Sequence, residues 1–314
     1  FALWALNAAF AGSVLGTPQL AAVSLANLAG NLSALSVLLG LVFVLDTLAP
    51  QAIGAGRLAD VGVLAQRCTL VCLAALLPGY IVWFNMEALL RLAGQAPAVS
   101  ALAARFLRIY AAGLPGYVLF EIVRRFLGCQ DVVWPIAGCT GFVAWIVHPL
   151  LLRGLHGLGL GFDTVPMASV VSMWLFPALS IVYARVARPH RPGTWEGLDL
   201  RRALDPKGVR EFLALGVPGV FSMSEWWFWE VNAFAAGILG EVALAAHAIA
   251  YSLVPLLVMI PLGVSVAISV RIGCMLGEGR PRSAQRAALV ATAVGMLPVL
   301  SYTAATAGAG EAVV

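Results

Sequence analysis

Followed by hydropathy, the chain is a succession of apolar runs separated by short polar connections. Runs of bilayer length, about 20 residues, cover 20–45, 62–84, 102–123, 132–152, 165–187, 209–239, 242–268 and 284–308, and a shorter one opens the chain at 1–16. Each predicts a membrane-spanning helix, because in hydrocarbon the backbone must satisfy its own N–H and C=O groups. The opening run carries no basic leader and no cleavage pattern, so it reads as a helix cut in half rather than a signal peptide. Pro78, Pro115 and Pro218 fall within runs and predict kinks, where a freed carbonyl needs another partner.

Composition supports this reading. The chain is 61% hydrophobic and only 11% charged, against roughly a quarter charged in a soluble domain, which makes it an all-α polytopic membrane protein. Of its 19 basic residues, 15 fall at 57, 67, 124, 125, 185–210 and 271–286 if those connections share one side; Arg91, Arg105, Arg108 and Arg153 remain for the other. The positive-inside rule makes the first side cytoplasmic. The basic residues sit in connections without aromatic RNA-binding motifs, so no nucleic-acid partner is expected. The Pro/Gly-rich stretch 188–208 reads as a cytoplasmic linker. Cys68, Cys72, Cys129, Cys139 and Cys274 lack metal-ligand spacing, and His148 has no ligand set near it in sequence, so neither a metal nor a cofactor is expected.

Against this apolar background, Ser224-Glu-Trp-Trp-Phe-Trp-Glu230 stands out. A charge at the bilayer centre costs roughly 2.5–3.5 kcal/mol on insertion scales and is retained where it meets a partner or water. On a helix, Ser222, Trp229 and Asn232 share a stripe with Glu225, whereas Glu230 is turned away by about 140°. A buried glutamate is pushed toward its neutral form, so its protonation competes with binding of a cation. Trp226, Trp227 and Trp229 offer aromatic faces for such a cation, or pack against lipid and core. Asn7, Asn27 and Asn31 are candidates to line a first cavity, and His247 and Tyr251 to approach Glu225 from the next helix; each also suits an interhelical hydrogen bond.

The chain also repeats itself. Trp4-Ala-Leu-Asn7 through Gly12, Leu15-Gly16 and Leu20-Ala-Ala matches Trp229-Glu-Val-Asn232 through Gly237, Leu239-Gly240 and Leu244-Ala-Ala, and Gly54-Ala-Gly-Arg57 matches Gly277-Glu-Gly-Arg280. The offset of 223 to 225 residues spans six helices, and an even number makes the copies parallel, related by an axis along the bilayer normal. The counterpart of Glu225 then precedes Phe1, and the second copy stops after three helices; the chain is expected to be truncated at both ends.

Three stretches resemble the eukaryotic branch of the multidrug and toxic compound extrusion (MATE) family: Glu225-Trp226-Trp227; Ile260-Pro-Leu-Gly through Arg271-Ile-Gly273, Leu276-Gly277-Glu-Gly279 and Ala284-Gln-Arg286; and Asp46-Thr47-Leu48 with Gln51 and Gly54-Ala-Gly56. Gln95-Ala-Pro97, Arg125-Phe-Leu127 with Gln130, Gly159-Leu-Gly161 and Thr194-Trp-Glu-Gly197 add weaker matches in family order. The sequence departs from the family pattern at Cys274, Glu278, Ser252 and Thr164-Val-Pro166.

The resemblance implies two six-helix lobes related by pseudo-two-fold symmetry, of which this chain holds about eight and a half helices: a lobe at 1–187, the linker 188–208, and the first three helices of a second lobe at 209–314. It implies a secondary antiporter in the plasma or vacuolar membrane. This would export organic cations or other amphipathic small molecules in exchange for protons or sodium, working as a monomer. Proton and substrate binding then falls to Glu225, with Glu230, Trp226, Trp229, Asn232, Tyr251, Asn7 and Asn31 as further site candidates. The alternatives are an inactive transporter fragment or a membrane-embedded enzyme. The last is disfavoured because no Gly-x-Ser-x-Gly, His-Glu-x-x-His or intramembrane Asp pair occurs.

Overall fold

The computed structural model describes residues 2–223, 227, 228, 232 and 241–313, with 241–257, 260 and 305–313 as backbone alone. Among the described residues, six helices are long and apolar enough to cross a membrane: Thr17–Gly54, Leu58–Phe84, Pro97–Gly128, Trp134–Gly157, Gly161–Ala187 and Pro281–Ala304. Ala2–Leu15 and Pro261–Gly277 are shorter apolar helices. The run at 242–268 lies within a helix, Glu241–Gly277, that continues past it into polar residues. Pro206–Ser222 occupies the start of the run at 209–239, most of the remainder of which lies outside the described residues.

The chain forms two compact units, residues 1–44 with 62–223, and 45–61 with 224–314. In the first unit, Phe120, Leu127, Ile136, Val143, Ala144 and Phe176 form a buried cluster. Leu77, Ile81, Trp145 and Leu150 are exposed, as expected of side chains that meet lipid tails. Pro115 has the predicted effect. The helix gives way to a 3-10 turn at Ala111–Gly113, and the Ala111 carbonyl, deprived of its usual donor, accepts from Leu114 N–H and from the Tyr80 hydroxyl at 3.1 Å.

The linker is sutured to helix ends of this unit. Thr194 is fully buried, its Oγ1 2.7 Å from the Arg191 carbonyl and 3.1 Å from Gln130 Oε1. Gln66 donates to the Gly197 carbonyl and accepts from Asp199 N–H, while Arg67 donates to the Ala203 and Arg202 carbonyls. The Asp199 and Asp205 carboxylates cap the two short helical starts that follow. Connections that the charge pattern places on one side therefore meet in space. Of the basic residues assigned to the other side, Arg91 and Arg108 share Glu87, and Arg105 pairs with Asp163.

In the second unit the repeat becomes a structural fact. One helix ends with Ala55 N–H donating to the Gln51 carbonyl, Gly56 to Ile53 and Arg57 to Ala52; the other ends with Glu278 donating to Cys274, Gly279 to Leu276 and Arg280 to Met275. Gly56 and Gly279 both have φ of 72°, the left-handed turn that glycine adopts at helix C-termini. The two ends also touch reciprocally. A Cβ on Gly54 would lie 2.0 Å from the Cys274 carbonyl oxygen, and one on Gly277 would lie 2.2 Å from that of Gln51. Positions 51 and 54 correspond to 274 and 277 at an offset of 223, so each contact has its symmetry counterpart, as at a two-fold crossing. Small residues permit that approach, as in membrane helix pairs generally.

Candidate functional site

The most complete buried polar cluster among the described residues lies in the first unit. Asn7 comes from the helix Ala2–Phe10, His148 starts the helix His148–Gly157, and Ser169 and Ser172, three residues apart, share one face of Thr164–Ala187. All four are fully buried. Asn7 Nδ2 donates to Ser169 Oγ at 2.8 Å, and Asn7 Oδ1 lies 3.0 Å from His148 Nε2. His148 Nδ1 lies 2.9 Å from Ser172 Oγ. The two serine hydroxyls also reach the carbonyls one turn back, Val165 and Ala168, both at 2.9 Å.

The local backbone aims these groups. His148 follows a π-helical turn, Val143–Val147, and its N–H reaches the Val143 carbonyl, five residues back. Pro149, which has no N–H, is one cause of that irregularity. Asn7 likewise precedes a π turn, Ala11–Leu15. Single π turns within membrane-length helices recur at functional positions. One turn beyond Asn7, Phe10 packs edge-on against the His156 ring at 5.6 Å.

The other expected site residues are distributed differently. Asn31 opens a third π turn, Asn31–Leu35, and its carbonyl accepts from Ser36 Oγ; it is partly exposed and is not among the residues bonded to Asn7. Asn232 donates to the Phe228 carbonyl at 2.9 Å, within its own helical turn. Glu225, Trp226, Trp229 and Glu230, with the Tyr251 side chain, lie outside the described residues. Hydropathy reading also missed a buried charge cluster. Glu121 pairs with Arg125 and, at 2.7 Å, with Arg124, and the Arg125 guanidinium stands 4.9 Å above the Phe43 ring. Its signal was the i, i+3, i+4 spacing of opposite charges.

Comparison with known proteins decides what kind of bundle this is. A family model described as MatE matches residues 4–152 and 219–307, on both sides of the linker. The chain belongs to the MatE family. It is 34% identical to the human multidrug and toxin extrusion protein 1 over 300 residues, covering 95% of this chain and 52% of that protein. The protein of the same name from Danio rerio is 34% identical over 285 residues, covering 90% of this chain and 48% of its own length. An uncharacterized transporter of Schizosaccharomyces pombe is 33% identical over 280 residues, 88% of this chain and 52% of the transporter. This MatE chain thus spans about half the length of the curated relatives it matches. Among solved structures, the eukaryotic MATE transporter AtDTX14 superposes with a TM-score of 0.85 at 24% identity, over 98% of this chain and 68% of that one. A MATE structure in the bent conformation gives 0.76 at 19% identity, over 96% and 67%. The fold is that of MATE transporters, and the chain is a multi-pass membrane protein.

Proposed function

We propose that this MatE-family protein is a secondary antiporter that exports organic cations or other amphipathic small molecules in exchange for protons or sodium. The observation that carries the proposal is the family match on both sides of the linker, joined by relatives named for multidrug and toxin extrusion. Residues 1–187 and 209–314 are then the first and second lobes, and alternating access follows from their motion. Glu225 is the proton and cation site, with Trp226, Trp229, Asn232 and Tyr251 around it and Glu230 in a lesser role; Asn7 and Asn31 serve the first lobe. Glu225→Gln keeps size and hydrogen bonding but removes titration. In vesicles containing the full-length protein, proton-driven efflux of a fluorescent organic cation is expected to fall to background in Glu225→Gln and by less in Glu230→Gln. Unchanged efflux in Glu225→Gln would assign the proton elsewhere.

A further inference from the structure

We infer that the outer face of Pro206–Ser222 is a binding site for an anionic phospholipid, with the phosphate on Arg210 and an acyl chain along Leu213 and Val217. The two faces of this helix differ sharply. Gly208, Phe212 and Gly216, spaced four residues apart, are buried; a Cβ on Gly208 would run into the Arg67 guanidinium, and one on Gly216 would lie 2.9 Å from Leu41. Roughly half a turn round the helix, Pro206, Arg210, Leu213 and Val217 line an open groove of about 810 Å³ that also takes in Leu204 and Pro218. Among the described residues that line it, Arg210 alone is charged.

Depth and charge both fit one leaflet. From Pro206 to Pro218 the helix rises about 18 Å, against about 15 Å of hydrocarbon in half of a bilayer core. Arg210 stands one turn inside the start of the helix, on the side that carries most of the basic residues, and its long stem lets the guanidinium reach headgroup level. Its planar fork matches phosphate oxygens, and exposed Lys207, three residues earlier, adds a second positive charge.

The carboxylates nearby do not cancel that charge. Asp199 and Asp205 accept from Arg202 N–H and Gly208 N–H, and Glu211 is turned about 100° from Arg210. Among the described residues, neither Lys207 nor Arg210 is in an ion pair. Leu198, Leu200 and Leu204, which flank Arg201 and Arg202, are exposed, the pattern of a segment lying in the headgroup layer. A packed helix is a poorer occupant of the groove. It would bury the Arg210 guanidinium and have to bring a carboxylate to offset it, whereas lipid phosphates already stand at that depth. The inference does not rest on the antiport reading, since lipid binding needs neither substrate nor gradient.

The test places a benzophenone photo-crosslinking amino acid at position 213, and in a second preparation at position 217, of the full-length protein. The protein is reconstituted in phosphatidylcholine vesicles containing a minor share of phosphatidylglycerol, illuminated, and its adducts are read by mass spectrometry. Phosphatidylglycerol should be enriched about fivefold over its share of the bilayer. Arg210→Gln should abolish the enrichment and Arg210→Lys should keep most of it, while Arg185→Gln, an exposed basic residue outside the groove, should leave it unchanged. Adducts in proportion to the bulk lipid with Arg210 present would overturn the inference and leave ordinary lipid contact. Crosslinks at both positions to other helices of the protein would also overturn it, and would make the groove a packing surface.

Discussion

Residues 51–57 and 274–280 end their helices with the same three backbone hydrogen bonds and the same left-handed glycine. Among the described residues, the paired asparagines of the same repeat make different bonds: Asn7 joins three helices through His148 and Ser169, while Asn232 donates to the Phe228 carbonyl one turn back. The difference shows what a duplicated unit holds constant. Backbone atoms in van der Waals contact leave no room for any side chain, so the crossing at Gly54 and Gly277 admits few sequences. A polar side chain takes whatever partners its surroundings offer, and two copies can diverge in chemistry without disturbing the crossing.

The largest effect should come from closing that crossing. Gly54→Ala and Gly277→Ala each drive a Cβ into a carbonyl oxygen about one helical turn from its own symmetry counterpart, and each is expected to cost about 1–3 kcal/mol or more by urea unfolding in mixed micelles. The two-fold relation requires the two costs to match. Gly56→Ala and Gly279→Ala, where nothing lies within 4 Å, carry only the left-handed strain of about 1–2 kcal/mol. A large asymmetry between Gly54 and Gly277 would break the comparison.

A similar but somewhat smaller effect is expected at the asparagines. Asn7→Ala leaves His148 Nε2 and Ser169 without their partner in a fully buried site, an expected loss of about 1–3 kcal/mol. Asn232→Ala, which removes a bond within a single helical turn, should cost less. Equal losses in the same unfolding assay would mean that Asn232 has taken on a comparable interhelical role.

The smallest effect concerns the linker and changes labelling rather than stability. Glu196→Cys, at an exposed position, should react with an impermeant thiol reagent in inside-out vesicles and not in intact cells. Thr194→Cys, two residues away and fully buried, should react slowly in both. Labelling of Glu196→Cys from outside would reverse the proposed orientation.

Much of this was legible in the residues because it depends on local patterns. Membrane class, most of the described helix positions and a disturbed helix at Pro115 follow from hydropathy, the need to satisfy backbone groups in lipid, and the missing N–H of proline. The repeat was legible because its helix ends demand glycine. Linker 188–208 was harder: its polarity suggested solvent, yet Gln66, Arg67 and Gln130 bind it and bury Thr194. Polar composition predicts an aqueous side of the membrane, but not how closely a loop lies on the helices beneath it.

By itself, then, the sequence determined the helical, membrane-spanning class of the chain, its family resemblance and its internal duplication, all of which are written in hydropathy, spacing and glycine positions. Tertiary structure alone decided that Asn7, Ser169 and Ser172 would surround His148, across as many as 162 residues of chain. The same is true of the reciprocal contact of Gly54 with Cys274 and Gly277 with Gln51. The physical reason is that a lone histidine in an apolar run has no local signature of its partners. They are chosen by which helix faces pack together, and that choice is made by the whole bundle.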